Sequence, residues 1–234
     1  MITEPKGTSV ASILDQLNGQ LIVSCQAYPD EPLRDGEVMA RMAQAVIAGG
    51  AAGVRAQGLT DIGLIQACTN VPLIGLWKDG DDPVFITPTL EHATAVAEAG
   101  ADIVALDGTR RPRPDGLTLA ETIDGLRQYS HVLVMADCGS LDDALAAEDD
   151  GADLVGTTLA GYTGERAKTK GPDTELIDQL VERCERPVIA EGRVHTTAQA
   201  ADVMERGAFA VVVGTAITHP TTITGWFHQA VAGA

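Results

Sequence analysis

The sequence predicts an α/β protein built as a single (β/α)8 barrel over residues 1–234. Three observations predict it. Four Gly-Ala junctions, at Gly50, Gly100, Gly151 and Gly207, recur at intervals of 50, 51 and 56 residues, and each precedes an apolar run. Eight short apolar runs alternate with eight helical patterns, the order that pairs strands in parallel. The repeat never reverses and no G-x-G-x-x-G follows the first run, which counts against an open doubly wound sheet.

Taken in order, residues 8–18 read as a short extra helix that closes the barrel bottom. The first strand is the run 21–24, and a helical pattern follows over 36–48. Gly50-Ala51 then turns the chain into a strand at 53–55, because a helix end needs a residue that turns without a Cβ clash. Helix 61–68 leads to strand 72–77, and helix 90–99 leads through Gly100-Ala101 to strand 102–106. Helix 119–129 precedes strand 132–135, and helix 141–149 leads through Gly151-Ala152 to strand 153–155. Helix 174–184 precedes strand 187–190, helix 196–206 leads through Gly207-Ala208 to strand 209–213, and a last helix covers 222–231. Near-continuous apolar strands of this kind imply burial on both faces. The quarter repeats, of two βα units each, fit the symmetry of a TIM barrel.

Composition agrees with that architecture and excludes several function classes. Apolar residues make up 45% of the 234, enough for a sizeable core, while aromatics are only 3%. Sixteen basic and 33 acidic side chains give a net charge of −17. Such a field repels phosphate backbones and acidic lipids, so nucleic acid and membrane surfaces are not expected partners. Few aromatics also count against base-stacking platforms. A small anion held in a local positive pocket remains compatible with the charge. Cys25, Cys68, Cys138 and Cys184 form no C-x-x-C pair, and Cys25 and Cys138 read as small buried residues. The five histidines do not cluster at ligand spacing, so no metal is expected. With no signal core and no long apolar run, a cytoplasmic location is expected, and a homodimer is a candidate assembly.

In such barrels the chemistry sits at the C-terminal rim of the strands. Reading that rim gives Gln26, Arg55, Lys78, Asp107, Asp137, Thr157 with Thr158, Glu191 with Arg193, and Gly214 with Thr215. Every strand ends in a polar or phosphate-compatible residue, which solubility alone explains poorly. Lys78, Asp137 and Glu191 form an acid/base cluster of the kind that moves protons next to a carbonyl. Desolvation and Arg55 would lower the pKa of Lys78, whereas Asp137 and Glu191 would raise it. The segments Glu191-Gly192-Arg193 and Val213-Gly214-Thr215, after the seventh and eighth strands, occupy the usual position of a barrel phosphate site. Gly192 and Gly214 let backbone N–H groups approach the anion, with helix N-termini beyond them. The run from Asp107 to Gly116 carries Arg110, Arg111 and Arg113, a rigid basic loop suited to anion steering or to salt bridging.

Several of these segments resemble the bacterial N-acetylmannosamine-6-phosphate 2-epimerase family. They are Val23-Ser-Cys-Gln-Ala, Val54-Arg-Ala, Ile74-Gly-Leu-Trp-Lys, Ile86-Thr-Pro-Thr, Leu106-Asp-Gly-Thr-Arg-Arg-Pro-Arg-Pro-Asp-Gly, Met135-Ala-Asp-Cys, Gly156-Thr-Thr-Leu-Ala-Gly-Tyr-Thr, Ala190-Glu-Gly-Arg and Val213-Gly-Thr-Ala-Ile-Thr. The resemblance implies interconversion of N-acetylmannosamine 6-phosphate and N-acetylglucosamine 6-phosphate, with no metal or redox cofactor. It implies Lys78 as the proton-transfer residue and Glu191 as the group that binds and polarises the sugar, with Gln26, Arg55 and Asp137 in contact with substrate. One position departs from the family pattern: an arginine phosphate ligand commonly follows Ala-Ile-Thr, and His219 stands there. Two other readings use the same residues: a sugar-phosphate sensor without turnover, prompted by His219, and another sugar-phosphate isomerase or decarboxylase. A decarboxylase would want an aspartate two residues before the lysine, where Leu76 stands.

Overall fold

A computed structural model describes residues 10–233. Eight parallel strands close on themselves in sequence order: β1 (Gln20–Cys25), β2 (Gly53–Gln57), β3 (Leu73–Leu76), β4 (Ile103–Asp107), β5 (Leu133–Asp137), β6 (Leu154–Gly156), β7 (Val188–Glu191) and β8 (Ala210–Val213). The last closing pair sets Leu21 opposite Val211 and Val23 opposite Val213. The barrel is therefore a (β/α)8 fold, as the alternation predicts.

The outer layer begins with α2 (Gly36–Ala48), α3 (Leu59–Cys68), α4 (Leu90–Glu98) and α5 (Leu119–Tyr129), preceded by α1 (Val10–Leu17). It continues with α6 (Leu141–Asp149), α7 (Thr174–Arg183), α8 (Thr197–Glu205), a four-residue α9 (Thr215–Thr218) and α10 (Pro220–Ala232). Side-chain caps start these helices where the sequence places Asp, Ser or Thr. Thr118 and Thr196 each form a reciprocal capping box with Glu121 and Gln199, satisfying N–H groups that a first turn leaves without partners.

Period-two alternation sorts the strand side chains. Ile22, Ile74, Leu76, Ile103, Ala105, Leu133, Met135, Leu154, Ile189, Ala210 and Val212 pack inside the barrel with Ile13 and Leu17 of α1. The alternate residues, such as Val54, Val104, Val134 and Val155, face the helices in a second cluster. Leu17 is fully buried among the inner residues, so α1 plugs the bottom. The expected helix over 8–18 is thus seen from Val10; residues 8 and 9 lie outside the described residues.

The same parity carries upward. Continuing Ile74–Leu76 by two residues gives Lys78, Leu133–Met135 gives Asp137, and Ile189 gives Glu191. The upper interior is polar because the inward positions change chemistry there. Gly75, on the outer face of β3, permits close approach of the neighbouring helices: a Cβ there would lie 2.7 Å from the Cβ of Ala101 and 2.9 Å from Val96 Cγ1.

Candidate active site

The polar ends of the strands surround a cavity of about 700 Å³ at the C-terminal mouth of the barrel. Its walls carry five basic side chains, Arg34, Arg55, Lys78, Arg111 and Arg193, against a single carboxylate, Glu191. A chain with net charge −17 therefore holds a locally cationic pocket.

Arg55 is the centre of the charge network. It is 1% exposed, and its two terminal nitrogens donate to both oxygens of Asp137, at 3.1 and 2.6 Å. Glu191 Oε2 lies 3.2 Å from Nη1 of the same guanidinium. The fork of arginine matches a carboxylate at two points, which fixes its plane as well as its charge. Thr158 donates to Asp137 Oδ1 at 2.7 Å. Asp137 is wholly buried behind Arg55, so it anchors the arginine and does not line the cavity.

Lys78 reaches the cavity from the end of β3 and donates to Gln26 Oε1 at 2.9 Å. Gln26 in turn donates to Ser24 Oγ at 2.8 Å, which orients its amide oxygen toward the lysine. Lys78 stays open to solvent through the mouth, yet the walls around it desolvate its amine. Desolvation first, and the charge of Arg55 second, hold its pKa below the ordinary lysine range despite the opposing pull of Glu191 and Asp137. Glu191 moves the other way. Burial is the largest cause and raises its pKa from 4.5 to about 7, with Asp137 adding to the rise and Arg55 opposing it.

The remaining predicted positions divide into lining and supporting groups. Gln26, Thr158, Gly192, Arg193, Gly214 and Thr215 line the cavity. Thr157 does not; its hydroxyl accepts from Glu191 N at 3.0 Å and donates to Glu191 O at 2.8 Å, tying β6 to β7. Asp107 is also buried behind the wall, bound by Thr109 and by Arg111 at 2.7 Å. Arg193 has positive φ (58°) next to Gly192 (107°), and its guanidinium is directed at the loop after β6. It donates to Ala160 O, Gly171 O and Thr169 Oγ1 at 2.8–3.1 Å. Three of its five N–H groups are thus engaged in holding that loop.

His219 lines the cavity at the start of α10. Its ring meets Tyr28 edge-on at 4.8 Å, and Nδ1 lies 3.6 Å from Glu31 Oε2. Desolvation is the largest influence and lowers its pKa, so the imidazole is mostly neutral at neutral pH. The basic loop is mainly salt-bridged: Arg110 pairs with Asp142, Asp143 and Glu165, and Arg111 with Asp107. Arg111 also reaches the cavity wall.

Arg34 is the lining cation that a strand-end reading passes over, because it sits on the loop between β1 and α2. It donates to Ala27 O at 2.8 Å, and Gln57, its amide oxygen assigned to face the arginine, accepts from Nη2 at 2.7 Å. The available signal is a lone arginine among Asp30, Glu31, Asp35 and Glu37 on a rim loop. Among the described residues, no group of three His, Cys, Asp or Glu side chains could hold a metal ion, and no helix is long and apolar enough to cross a membrane. Cys25 and Cys138 are free thiols buried outside the cavity. Burial pushes the Cys25 thiol up to about 12, which leaves it unreactive.

Comparison with known proteins identifies the family of the chain. A family model described as "Putative N-acetylmannosamine-6-phosphate epimerase" matches residues 39–233. A protein of Cutibacterium acnes named "Putative N-acetylmannosamine-6-phosphate 2-epimerase" is 62% identical, covering 93% of this chain and 96% of that protein. A protein of the same name from Caldanaerobacter subterraneus is 47% identical, covering 92% of each chain. The solved structure of the N-acetylmannosamine-6-phosphate 2-epimerase from Clostridium perfringens superposes with a TM-score of 0.90 at 40% identity, over 93% of this chain and 95% of that one. With its closed barrel and rim chemistry, this chain belongs to the N-acetylmannosamine-6-phosphate 2-epimerase family.

Proposed function

We propose that this chain interconverts N-acetylmannosamine 6-phosphate and N-acetylglucosamine 6-phosphate by moving a proton at C2. The observation that carries the reading is one cationic cavity holding a lysine of lowered pKa and a carboxyl raised to about 7. That combination suits acid and base chemistry near neutral pH. A binding sensor would have no use for opposed shifts of this kind.

Opening of the sugar ring exposes an aldehyde, which acidifies the C2 hydrogen beside it. Neutral Lys78 removes that proton and becomes an ammonium. Protonated Glu191 donates to the carbonyl oxygen as negative charge develops there, and Arg55 adds fixed positive charge from behind. A preorganised donor of this kind is worth about 3–4 kcal/mol in the transition state. C2 is planar at this point; once the intermediate has turned, the Lys78 ammonium returns the proton to the opposite face while the enol proton goes back to Glu191, so the centre is inverted and both groups regain their starting states. Gln26 holds the Lys78 amine, while Asp137, Thr158 and Thr157 hold Arg55 and the end of β7. The backbone at Gly192 and at Gly214–Thr215 takes the phosphate, supported by Arg193 and by the mouth cations. Anchoring the phosphate holds a flexible open chain in register with Lys78, so remote binding energy supplies orientation. A phosphorylated sugar does not cross a bilayer unaided, which favours the cytoplasm as the place of reaction.

The test is incubation with N-acetylmannosamine 6-phosphate in D₂O, with C2 followed by NMR. Product carrying deuterium at C2 is expected, and the fraction retaining protium measures how far Lys78 serves both transfers. Lys78→Ala should reduce exchange to background while circular dichroism stays unchanged. Tight binding with neither product nor exchange would replace the epimerase by a sensor.

A further inference from the structure

The loop between β3 and α4 returns to the barrel and inserts beside the catalytic strand. Ile86 pairs with Lys78 in an isolated antiparallel bridge, and Asp79 N donates to Phe85 O at 3.0 Å. On the other side of this segment, Asp107 N at the end of β4 donates to Ile86 O at 3.0 Å. Residues 85–87 are thus a wedge between the extension of β3 and the end of β4.

The wedge turns on Thr87, which has φ of 46° and no exposed surface. A β-branched residue in the left-handed region is an outlier, kept only where its surroundings over-determine it. All three of its polar groups are engaged. Its N–H donates to Trp77 O at 2.7 Å, and its hydroxyl accepts from Trp77 N at 3.1 Å, both on the residue before Lys78. Its carbonyl accepts from Arg113 Nη2 at 2.8 Å. Arg113 closes the clamp, because its Nη1 donates to Asp107 O at 2.8 Å.

Arg113 differs from its neighbours in the basic loop. Arg110 and Arg111 are ion-paired, whereas Arg113 is 6% exposed and gives both terminal nitrogens to main-chain carbonyls. Its Nε is buried without a partner, and burial lowers its pKa. The charges of Asp107 and Asp115 offset only part of the cost of burying a guanidinium whose hydrogen bonds go to main-chain carbonyls, so the contact is maintained for what it holds.

We propose that Arg113 is a positioning residue for Lys78: it clamps the strained Thr87 turn against the end of β4 and so fixes the main chain from which Lys78 enters the cavity. This rests on the reading of Lys78 as the proton-transfer group. Arg113 does not line the cavity and touches no reacting atom.

The test compares wild type with Arg113→Ala, Arg113→Lys and Thr87→Gly in two assays. The first is the C2 exchange assay as a function of pH. The second is the pH dependence of reductive methylation of Lys78, read by mass spectrometry without substrate. Arg113→Ala should lower kcat about 10- to 100-fold, the scale expected for a displacement of about 1 Å, with KM changed less than about threefold. The charges facing Lys78, from Arg55, Glu191, Asp137 and Arg34, are left in place by every substitution. A movement of the Lys78 limb and of its methylation profile to higher pH therefore reports displacement of the amine from the desolvating walls and from Arg55. Arg113→Lys, which keeps the charge on one nitrogen but not the fork that spans both carbonyls, should fall between wild type and Arg113→Ala.

Folded Arg113→Ala with unchanged kcat and methylation profile, or with a lowered Tm alone, overturns the proposal. If that variant does not fold, Thr87→Gly decides: glycine accepts the backbone angle but lacks the hydroxyl that holds Trp77. An unchanged kcat and methylation profile in Thr87→Gly overturns the proposal equally. Wild type without C2 exchange would refute the epimerase reading, and the methylation profiles would then judge Arg113 on their own.

Discussion

Lys78 and Glu191 stand in one cavity with pKa values moved toward each other, the amine downward and the carboxyl up to about 7. On the proposed mechanism neutral lysine with protonated glutamate is the competent pair, so kcat/KM should be bell-shaped in pH, with one apparent limb near 7. The same shift has a sign for stability. Glu191 holds its proton more tightly in the folded chain, so between 4.5 and about 7 the folded state carries more protons and stability declines with rising pH. Above that window the full cost of an ionised, desolvated carboxylate remains. Glu191→Gln imitates the protonated acid; it should lower kcat, remove the limb that Glu191 sets, and stabilise the protein by about 1–3 kcal/mol at about pH 8. Urea unfolding at about pH 5 and about pH 8 checks this, and equal stability of the two proteins at the higher pH would contradict it. The sequence names both residues but not these directions. Lys78 lies between two cations and two carboxylates, and the outcome depends on distances that only the closed barrel sets.

At the scale of elements, strand and helix identities are legible because two periods are written in the chain. Helices α2, α5 and α6 have the bounds their patterns predict, at 36–48, 119–129 and 141–149. The strand-end polar residues are legible too, since an inward position two residues beyond an apolar inward position must face the same interior. What periodicity does not encode is backbone that leaves the two periods. The four-residue α9 is too short to show a period, and the Thr87 wedge has neither alternation nor glycine to mark its left-handed turn. Asp107, Asp137 and Thr157 are read correctly as strand-end residues, but their depth behind the wall depends on Arg111, Arg55 and Glu191 covering them. Gly75 supplies an element-scale prediction. A methyl there would collide with Ala101, in the turn before β4, and with Val96 of α4, so β3 and these neighbours must separate. Gly75→Ala is expected to cost about 1–3 kcal/mol by denaturant unfolding. A neutral effect would mean that the β3–α4 contact is looser than the side-chain distances indicate.

For the whole molecule, charge poses opposite demands at two ranges. The net charge of −17 repels an anionic substrate from afar, while Arg34 and Arg193, the lining arginines not ion-paired as Arg55 and Arg111 are, attract it at the mouth. Which governs binding is decided by screening. The Debye length is about 10 Å at 0.1 M salt, so distant carboxylates around the barrel are screened before the cations at the mouth. Added salt should therefore first remove the repulsion and then weaken the contacts. Below about 0.05 M salt, where screening reaches far, the association rate should increase as salt is added. From about 0.1 to 0.5 M, KM should rise several-fold as the local attraction is screened, with kcat nearly constant because the reacting groups are desolvated. Steady-state kinetics across a salt series, with a neutral-sugar control, measures both arms. A KM that falls continuously to high salt would mean that the acidic surface, and not the cationic mouth, controls substrate capture. Arg34 offers the sharper comparison, since it is exposed, lies at the entrance and is paired to Ala27 and Gln57 without a carboxylate in those bonds. Arg34→Gln should raise KM at low salt and flatten the salt dependence, so that variant and wild type converge as ionic strength increases.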